Sequence, residues 1–223
     1  VGSLTGATAR RNLDYYSNVT IWRDAIGKRP ANARAHNNLG FALQQEGRLR
    51  EAVSHYVEGM RLGLENAQAH SQLGLALAGL DELDAAAHCL EALRLKPSDA
   101  TVHLNCGVVR DRQGRGPDAI AHYEAALRIN SSDALAHTNL GLALEKSGKL
   151  DEAVAHYTEA LRIDPADAQT HVMLGDALMQ QGRADRAVPH YEAAVRLKPR
   201  DPALQRQAAF GLLKASQNRR AGK

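Results

Sequence analysis

The sequence predicts an all-α fold built from stacked helix-turn-helix repeats, and two observations carry this prediction. Glycines recur at a fixed period, separated by 34, 33, 34 and 34 residues: Gly40, Gly74, Gly107, Gly141 and Gly175. A period of this length is typical of arrays in which each repeat is one helical hairpin. The composition agrees, because 44% of the residues are hydrophobic but only 4% are aromatic. That balance favours helices packed through Ala and Leu over a β-rich core.

Residues 134–167 show the repeat most clearly. Apolar residues and a histidine recur one helical turn apart up to Leu144, which places them on one face of a helix. Gly148 then tolerates a positive φ and ends this first helix. Acidic residues open a second helix at Asp151, where they suit the positive end of the helix dipole. Pro165 stops the second helix.

Short motifs inside the repeat resemble those of the tetratricopeptide repeat (TPR) family. The motifs are Asn-Leu-Gly at 38–40 and 139–141, Asn-Cys-Gly at 105–107, Ala-x-x-x-Tyr ending at Tyr56, Tyr123, Tyr157 and Tyr191, and terminal prolines at Pro30, Pro97, Pro165 and Pro199. The resemblance covers most of the chain and is of the bacterial type. It implies a right-handed superhelical solenoid whose first helices line a concave groove. Function does not follow from the fold, because the same fold serves many partners.

The repeat phase divides the chain into consecutive segments. The expected segments are a disordered N-terminus at 1–9, a partial repeat at 10–32, five full repeats at 33–66, 67–99, 100–133, 134–167 and 168–201, a capping helix at 202–216 and a frayed tail at 217–223. The second repeat is one residue short, and its turn glycine is replaced around Gly79 to Asp81. We interpret the array as one elongated unit with a continuous core.

Composition argues against several classes of function. The net charge is only +3, and the basic excess lies at the two ends of the chain instead of on one face, so no nucleic acid partner is expected. No apolar run is long enough to span a bilayer, and no signal-peptide core is present, so no membrane contact by this segment is expected. The compartment stays open: cytoplasmic, or periplasmic if the segment is the soluble domain of a membrane protein.

The ten histidines fall into two ladders. The first-helix histidines are His36, His70, His103, His137 and His171, and the second-helix histidines are His55, His88, His122, His156 and His190. Successive members of a ladder are a whole repeat apart, whereas zinc needs its ligand nitrogens about 2.0–2.1 Å away. No metal and no cofactor is therefore expected. The first ladder is interpreted as filling the aromatic packing slot, and the second as half-exposed surface. Protonation of these rings below about pH 6 would loosen the stack.

Three further residues depart from the repeat pattern. Cys89 replaces the recurring Tyr and Cys106 replaces the recurring Leu, on helices that flank one turn, so they are predicted to be neighbours in the core. We interpret them as buried free thiols, since a disulfide would need an oxidising compartment. Arg110 occupies an inward slot that Leu fills in the other repeats. Its stem is expected to pack while its head reaches water or an acid, or places a cation beside the groove.

The resemblance also implies which residues would line the peptide groove. Carried over position by position, they are Asn37, Asn38, Phe41, Gln72, Asn105, Arg112, Asn139, Lys146 and Gln180. Asn38, Asn105 and Asn139 resemble the asparagine ladder in the repeat arm of O-linked N-acetylglucosamine transferases, which holds an extended peptide backbone. Amide side chains suit that work, because each offers a donor and an acceptor. The alternative is that these amides hydrate the inner helices or tie adjacent helices together.

No Ser-His-Asp set, phosphate-binding glycine loop or carboxylate pair stands out, so no catalytic residue is expected and the chain is not predicted to be an enzyme. The leading hypothesis is a non-catalytic scaffold, monomeric or weakly homo-oligomeric, that binds a protein or peptide as an extended segment or partner helix. The alternative is a substrate-selecting or regulatory arm of a larger enzyme or membrane protein. The opening at 15–40 resembles the start of soluble domains in membrane-anchored TPR proteins. A third hypothesis is self-association through Trp22 or Phe210.

Overall fold

The computed structural model describes residues 18–198 and 200–221, which contain twelve helices and no strand. The helices are α1 (Asn18–Lys28), α2 (Ala33–Gln45), α3 (Leu49–Arg61), α4 (Ala67–Ala78), α5 (Ala85–Leu95), α6 (Ala100–Arg112), α7 (Gly116–Ile129), α8 (Ala134–Lys146), α9 (Leu150–Ile163), α10 (Ala168–Gln180), α11 (Ala184–Leu197) and α12 (Pro202–Ala221). The predicted disordered segment at 1–9 and residues 10–17 of the partial repeat lie outside the described residues.

An Asn or Asp side chain caps each first helix of a repeat. Asn32 Oδ1 accepts a hydrogen bond from the Ala35 N–H at 3.1 Å, and Asp133 Oδ1 accepts one from the Ala136 N–H at 3.0 Å. The same role belongs to Asn66, Asp99 and Asp167, and to Asp201 before α12. Such caps satisfy N–H groups that the helix itself leaves without a partner. They therefore fix where each first helix begins.

The turn inside the repeat depends on a left-handed backbone residue. Gly148 has φ +78°, as its place at a helix end predicts. In the shortened second repeat the left-handed residue is Asp81, with φ 57°. Asp is one of the few residues other than Gly that adopt this conformation readily. The turn of the short repeat is therefore closed without a glycine in the left-handed position.

Residue contacts divide the chain into two compact units, with the boundary after Gln113. In the first unit α4 packs against α2 and α6 as well as its sequence neighbours, and in the second unit α10 packs against α8 and α12 in the same way. The sequence interpretation of a single elongated unit therefore differs from the observed division. A stacked array holds together through contacts between neighbouring repeats, so few contacts cross any one boundary. The single continuous core remains a prediction.

Buried tyrosines of the second helices lie at the centre of four hairpins, and Cys89 takes this position in the second repeat. Tyr56 is 1% exposed and belongs to a core cluster with Leu39 and Leu43. Trp22 of α1 packs against this cluster, in the position that the repeat period predicts for it. In the second unit Tyr157 is completely buried. These rings pack among the buried Ala and Leu side chains that make up most of the core.

Helix α12 covers the last repeat with Leu204, Ala208 and Ala215, all of which are buried. The helix continues to Ala221, so the expected end at 216 and the frayed tail from 217 are wrong over residues 217–221. The segment 212–221 contains neither Gly nor Pro, the residues that most often end a helix. Residues 222–223 lie outside the described part of the chain.

Candidate functional site

The amides of Asn37 and Gln72 tie two first helices together. Asn37 is only 9% exposed, and its Nδ2 donates to Gln72 Oε1 at 3.2 Å, which joins α2 to α4. Asn37 Oδ1 is buried and has no hydrogen-bond partner among the described residues. A buried acceptor without a partner destabilises the folded state by about 1–3 kcal/mol, so this oxygen would gain from a donor. Asn37 is thus part of the helix packing and only its oxygen is unsatisfied.

Asn105 also makes a contact between first helices. Its Nδ2 donates to Ser71 Oγ at 3.3 Å, which joins α6 to α4, and Ser71 is completely buried. At Asn37, Gln72 and Asn105 the structure therefore contains the helix-tying contacts that the sequence left as the alternative. The Nδ2 group of Asn105 is used in this contact, while its Oδ1 makes no side-chain hydrogen bond to another described residue.

Asn38 and Phe41 line an open cleft at the start of the first unit. The cleft has a volume of about 530 Å³ and is lined by Asn18, Trp22, Asn38, Phe41, Ala42, Gln45 and Glu46. Phe41 is 46% exposed and so presents apolar surface to the cleft. The half-buried Asn38 side chain makes no hydrogen bond to another described residue. This cleft thus combines aromatic surface with unused amide groups.

Asn139 occupies the corresponding position in the second unit. Its half-buried side chain forms no hydrogen bond to any residue that the structure describes. The helix-tying role belongs here to its neighbour Thr138, whose Oγ1 lies 2.9 Å from Thr170 Oγ1 and joins α8 to α10. The amide donor and acceptor of Asn139 therefore have no partner among the described residues.

Two carboxylates on first helices of the second unit accept hydrogen bonds from buried tyrosines. Tyr157 Oη donates to Glu145 Oε2 at 2.9 Å, and Gln180 Nε2 donates to Glu145 Oε1 at 2.5 Å. Asp176 is held alike, by Tyr191 Oη at 2.7 Å and by Gln207 Nε2 at 3.2 Å. Burial, together with the bonded carboxylate, raises the pKa of Tyr157, so the phenol stays protonated and donates. The exposed side chain of Gln180 is therefore already hydrogen-bonded to Glu145.

The three cationic side chains that the sequence analysis considered beside the groove, those of Arg110, Arg112 and Lys146, all reach the surface. Arg112 and Lys146 are exposed. Arg110 is half-buried, and its Nη1 donates to Gln113 Oε1 at 3.2 Å. The stem of Arg110 thus packs as expected, but its head donates to an amide and not to an acid.

The two histidine ladders meet inside the hairpins. Nδ1 of a first-helix histidine lies 3.0–3.1 Å from Nδ1 of a second-helix histidine in four imidazole pairs: His36–His55, His70–His88, His137–His156 and His171–His190. The ring centroids are 5.2–5.4 Å apart, so the two nitrogens lie close to the line between the rings. The second-helix histidines therefore belong to the helix interface, and their interpretation as a surface choice is wrong. The sequence offered one signal, because the two histidines of a hairpin are always 18 or 19 residues apart.

The imidazole pairs perturb the titration of the second-helix rings. Burial, and then the charge of the facing ring, lower the pKa of His55, His88, His156 and His190 below the usual 6.5. Glutamates near three pairs are bound by arginines one turn later: Glu58 by Arg61 at 2.6 Å, Glu91 by Arg94 at 2.7 Å and Glu159 by Arg162 at 2.7 Å.

The two cysteines are neighbours, as the repeat pattern predicts. Cys106 Sγ lies 3.6 Å from the carbonyl oxygen of Cys89, and both thiols are buried and free. Contact with Cys89 and burial raise the pKa of Cys106, so its thiolate is disfavoured. These thiols act as small core residues.

No described helix has the length and apolarity that crossing a membrane requires. Within the described residues, no group of three or more His, Cys, Asp or Glu side chains is arranged to hold a metal ion.

Comparisons with solved structures agree on the fold. The chain is similar to a chain of the APC/C hetero-tetramer Cut9–Hcn1, with 21% identity, a TM-score of 0.76, and coverage of 88% of this chain and 38% of that chain. It is also similar to TTC0263, a TPR protein of Thermus thermophilus, with 20% identity, a TM-score of 0.71 and coverage of 81% of this chain and 99% of that chain. The predicted all-α repeat solenoid fold is therefore confirmed.

Two further proteins share shorter or weaker likeness. YrrB, described as a TPR protein with an unusual peptide-binding site, has 21% identity, a TM-score of 0.57 and coverage of 85% of this chain and 97% of that chain. The Drosophila melanogaster protein O-mannosyl-transferase Tmtc3 is 30% identical over 67 residues, which are 30% of this chain and 7% of the fly protein. The chain therefore matches only a small part of this curated relative.

A family model, that of the C-terminal domain of cilia and flagella-associated protein 70, matches residues 6–210. This range contains all the repeats that the glycine period defines, together with the first part of α12, up to residue 210. The TPR resemblance of the sequence motifs is thereby confirmed. The chain belongs to the family of the TPR C-terminal domain of cilia and flagella-associated protein 70.

Proposed function

We propose that this chain is a non-catalytic protein-binding scaffold, and that an extended peptide or partner helix binds along its first helices. TPR folds of this kind generally mediate protein–protein interactions. The proposal of a peptide-binding surface rests on the difference between amides that bond to another helix and amides that do not. Asn37, Gln72 and Asn105 hold adjacent first helices in place, whereas Asn38 and Asn139 keep their amides unused. A peptide backbone offers the matching donors and acceptors.

In the first unit the binding surface proposed here is the cleft at Asn38. An exposed aromatic side chain next to free amides is a common composition of protein-binding surfaces. Phe41 would bury its ring against an apolar side chain of the partner, while Asn38 bonds to the partner backbone. Exposed Arg112 and, in the second unit, Lys146 and Gln180 would contact polar groups of a partner.

The test is a pull-down with the whole chain, followed by measured affinity for the recovered partner. Asn38→Ala and Asn139→Ala are expected to weaken binding by about 0.5–1.5 kcal/mol each, the net value of a hydrogen bond. Thr158→Ala is the matched control, because Thr158 is an exposed residue of a second helix that bonds only to the Val154 carbonyl. Equal affinity of Asn38→Ala, Asn139→Ala and the control would refute the proposal.

A second function is favoured by the match to Tmtc3, whose name describes an O-mannosyl-transferase. In that case the chain would be a substrate-selecting or regulatory arm, and the chemistry would lie on another segment. The complete gene separates the two functions, because the arm requires a catalytic or membrane domain in the same polypeptide.

A further inference from the structure

The backbone contact of the first-helix ring determines where the protons of an imidazole pair lie. Nε2 of His36, His137 and His171 lies 3.0, 3.2 and 3.3 Å from a backbone carbonyl oxygen. A carbonyl oxygen only accepts, so Nε2 carries the proton, and Nδ1 of the neutral ring is then an acceptor. The facing Nδ1 of the second-helix ring must therefore carry a hydrogen and donate it. Its own Nε2 is left as a basic nitrogen outside the bond.

The space between the two rings suits a proton and not a metal ion. Zinc binds imidazole nitrogen at about 2.0–2.1 Å, so an ion between two opposed nitrogens would hold them about 4 Å apart. The observed separation is 3.0–3.1 Å, and the nitrogens face each other along the line between the rings. The pair is thus a nitrogen-to-nitrogen hydrogen bond that joins the two helices of a hairpin.

We propose that an imidazole pair whose first-helix ring makes this carbonyl contact is a two-step proton latch of its hairpin. The first proton from solvent binds Nε2 of the second-helix ring and leaves the bond between the rings intact. The second proton can bind only Nδ1 of the first-helix ring, which is the acceptor of that bond. Two N–H groups then face each other, the bond is lost, and two positive rings repel across the hairpin. The latch is independent of the peptide-binding proposal.

The charged groups around the four pairs set how readily each latch is protonated. Arg23, Glu51 and Glu58 face the pair at His55; Asp84 and Glu91 face the pair at His88; Glu124, Glu152 and Glu159 face the pair at His156; Arg186 faces the pair at His190. The charge of Arg186 disfavours the first proton at the His171–His190 pair, whereas nearby carboxylates favour it at the His137–His156 pair.

Acid therefore destabilises the fold through these pairs. The second-helix rings have folded pKa values below the ordinary 6.5, so between the two values the unfolded chain binds more protons than the folded chain. Stability is fully present above about pH 6.5 and is lost as the pH falls below it. Carboxylates contribute little in this range, because the pKa values of Glu51, Glu58, Glu91 and Glu159 lie below 4.5.

Nitrogen-15 NMR of histidine-labelled whole chain tests the latch directly. At about pH 7.5 we expect the Nδ1–H tautomer for His55, His156 and His190, and the Nε2–H tautomer for their partners. The second-helix rings should titrate below pH 6.5. Second-helix rings that carry the proton on Nε2, or that titrate at the ordinary value, would overturn the proposal.

A variant tests the second step. Replacing His36, His70, His137 and His171 by Asn supplies an amide oxygen that accepts from Nδ1–H and cannot be protonated. The fall in melting temperature between about pH 7.5 and 5.5 should drop to less than half of the wild-type fall. An undiminished fall contradicts the latch. If the fourfold variant does not fold, His137→Asn alone should show a smaller fall in melting temperature over this pH range than the wild type, and an undiminished fall contradicts the proposal. Thr158→Ala, on the same helix as His156, is the control and should keep the wild-type response.

Discussion

Gly141 lies directly against the ring of Tyr157: a Cβ added to Gly141 would be 2.7 Å from Cε1 and 2.8 Å from Cδ1. The ring cannot move aside easily, because Tyr157 is completely buried and its hydroxyl is bonded to Glu145. The same approach recurs where Gly175 meets Tyr191. The recurring glycine of the sequence thus lets the two helices of a hairpin come close enough to bury the aromatic ring between them.

Replacing Gly141 by Ala is expected to destabilise the fold by about 1–3 kcal/mol, the usual effect of overpacking a core. Urea denaturation would measure this. Gly116→Ala is the control, because its Cβ would meet nothing within 4 Å, and it should be neutral or slightly stabilising. If Gly141→Ala and Gly116→Ala have equal midpoints, the close approach to the ring is not what requires glycine.

Gly148 requires glycine for a different reason. A Cβ there would meet nothing within 4 Å, but φ is +78°, in the left-handed region. Gly148→Ala should destabilise the chain by about 1–2 kcal/mol through backbone strain alone. Gly148→Asn should lose less, since Asn adopts this conformation more readily. Equal losses for Ala and Asn in urea denaturation would rule out strain as the cause.

The sequence predicted the repeat, the turn glycines, the place of Trp22 and the neighbouring thiols, because each depends on a single position within one period. The helix caps at Asn32 and Asp133 were also readable, since each stands directly before a first helix. The imidazole pairs needed more information. Which two faces of a hairpin meet depends on how the helices rotate against each other, and one-dimensional spacing does not give this.

The candidate site was only partly predictable, because the sequence spacing does not give the rotation of the helices against each other. The pattern identified the row of amides, but it could not separate Asn37, which bonds to Gln72, from the unused Asn38 beside it. The two residues differ by about 100° around the helix, so one turns toward the next repeat. The carboxylate of Glu145 was missed because its partners, Tyr157 and Gln180, lie on other helices.

The hydrogen bonds of the buried tyrosine hydroxyls should contribute differently to the free energy of unfolding, depending on the acceptor. Tyr157 donates to the carboxylate of Glu145, whereas Tyr56 donates to the amide oxygen of Gln44 at 2.8 Å. Tyr157→Phe should destabilise by about 1.5–3 kcal/mol and Tyr56→Phe by about 0.5–1.5 kcal/mol, because bonds to charged groups are stronger. Urea denaturation of the two variants compares them. A larger loss at Tyr56 would show that the charge of Glu145 is screened by solvent.

The thiols of Cys89 and Cys106 should resist modification in the folded protein. Both are buried, and the raised pKa of Cys106 keeps its thiol protonated. At about pH 8 a thiol reagent should label the native chain slowly and label two thiols after unfolding. Fast native labelling would mean that the hairpin around Pro97 opens often. Fewer than two thiols after unfolding without reductant would indicate a disulfide.

Arg186 gives the sharpest local test of the electrostatics around an imidazole pair. Burial, the facing ring of His171 and then the charge of Arg186 lower the pKa of His190. Arg186→Gln removes one of these causes, so the pKa of His190 should rise toward 6.5. The gap between the folded and unfolded values then narrows, and this hairpin should lose less stability as the pH falls from about 6.5. NMR titration of His190 and melting curves at about pH 7.5 and 5.5 measure both effects.

Arg162→Gln is the control, because Arg162 is bonded to Glu159 and is not among the charges that shift the pKa of His190. If Arg186→Gln leaves the pKa of His190 where it was, solvent screens that charge, and burial with the facing ring accounts for the whole shift.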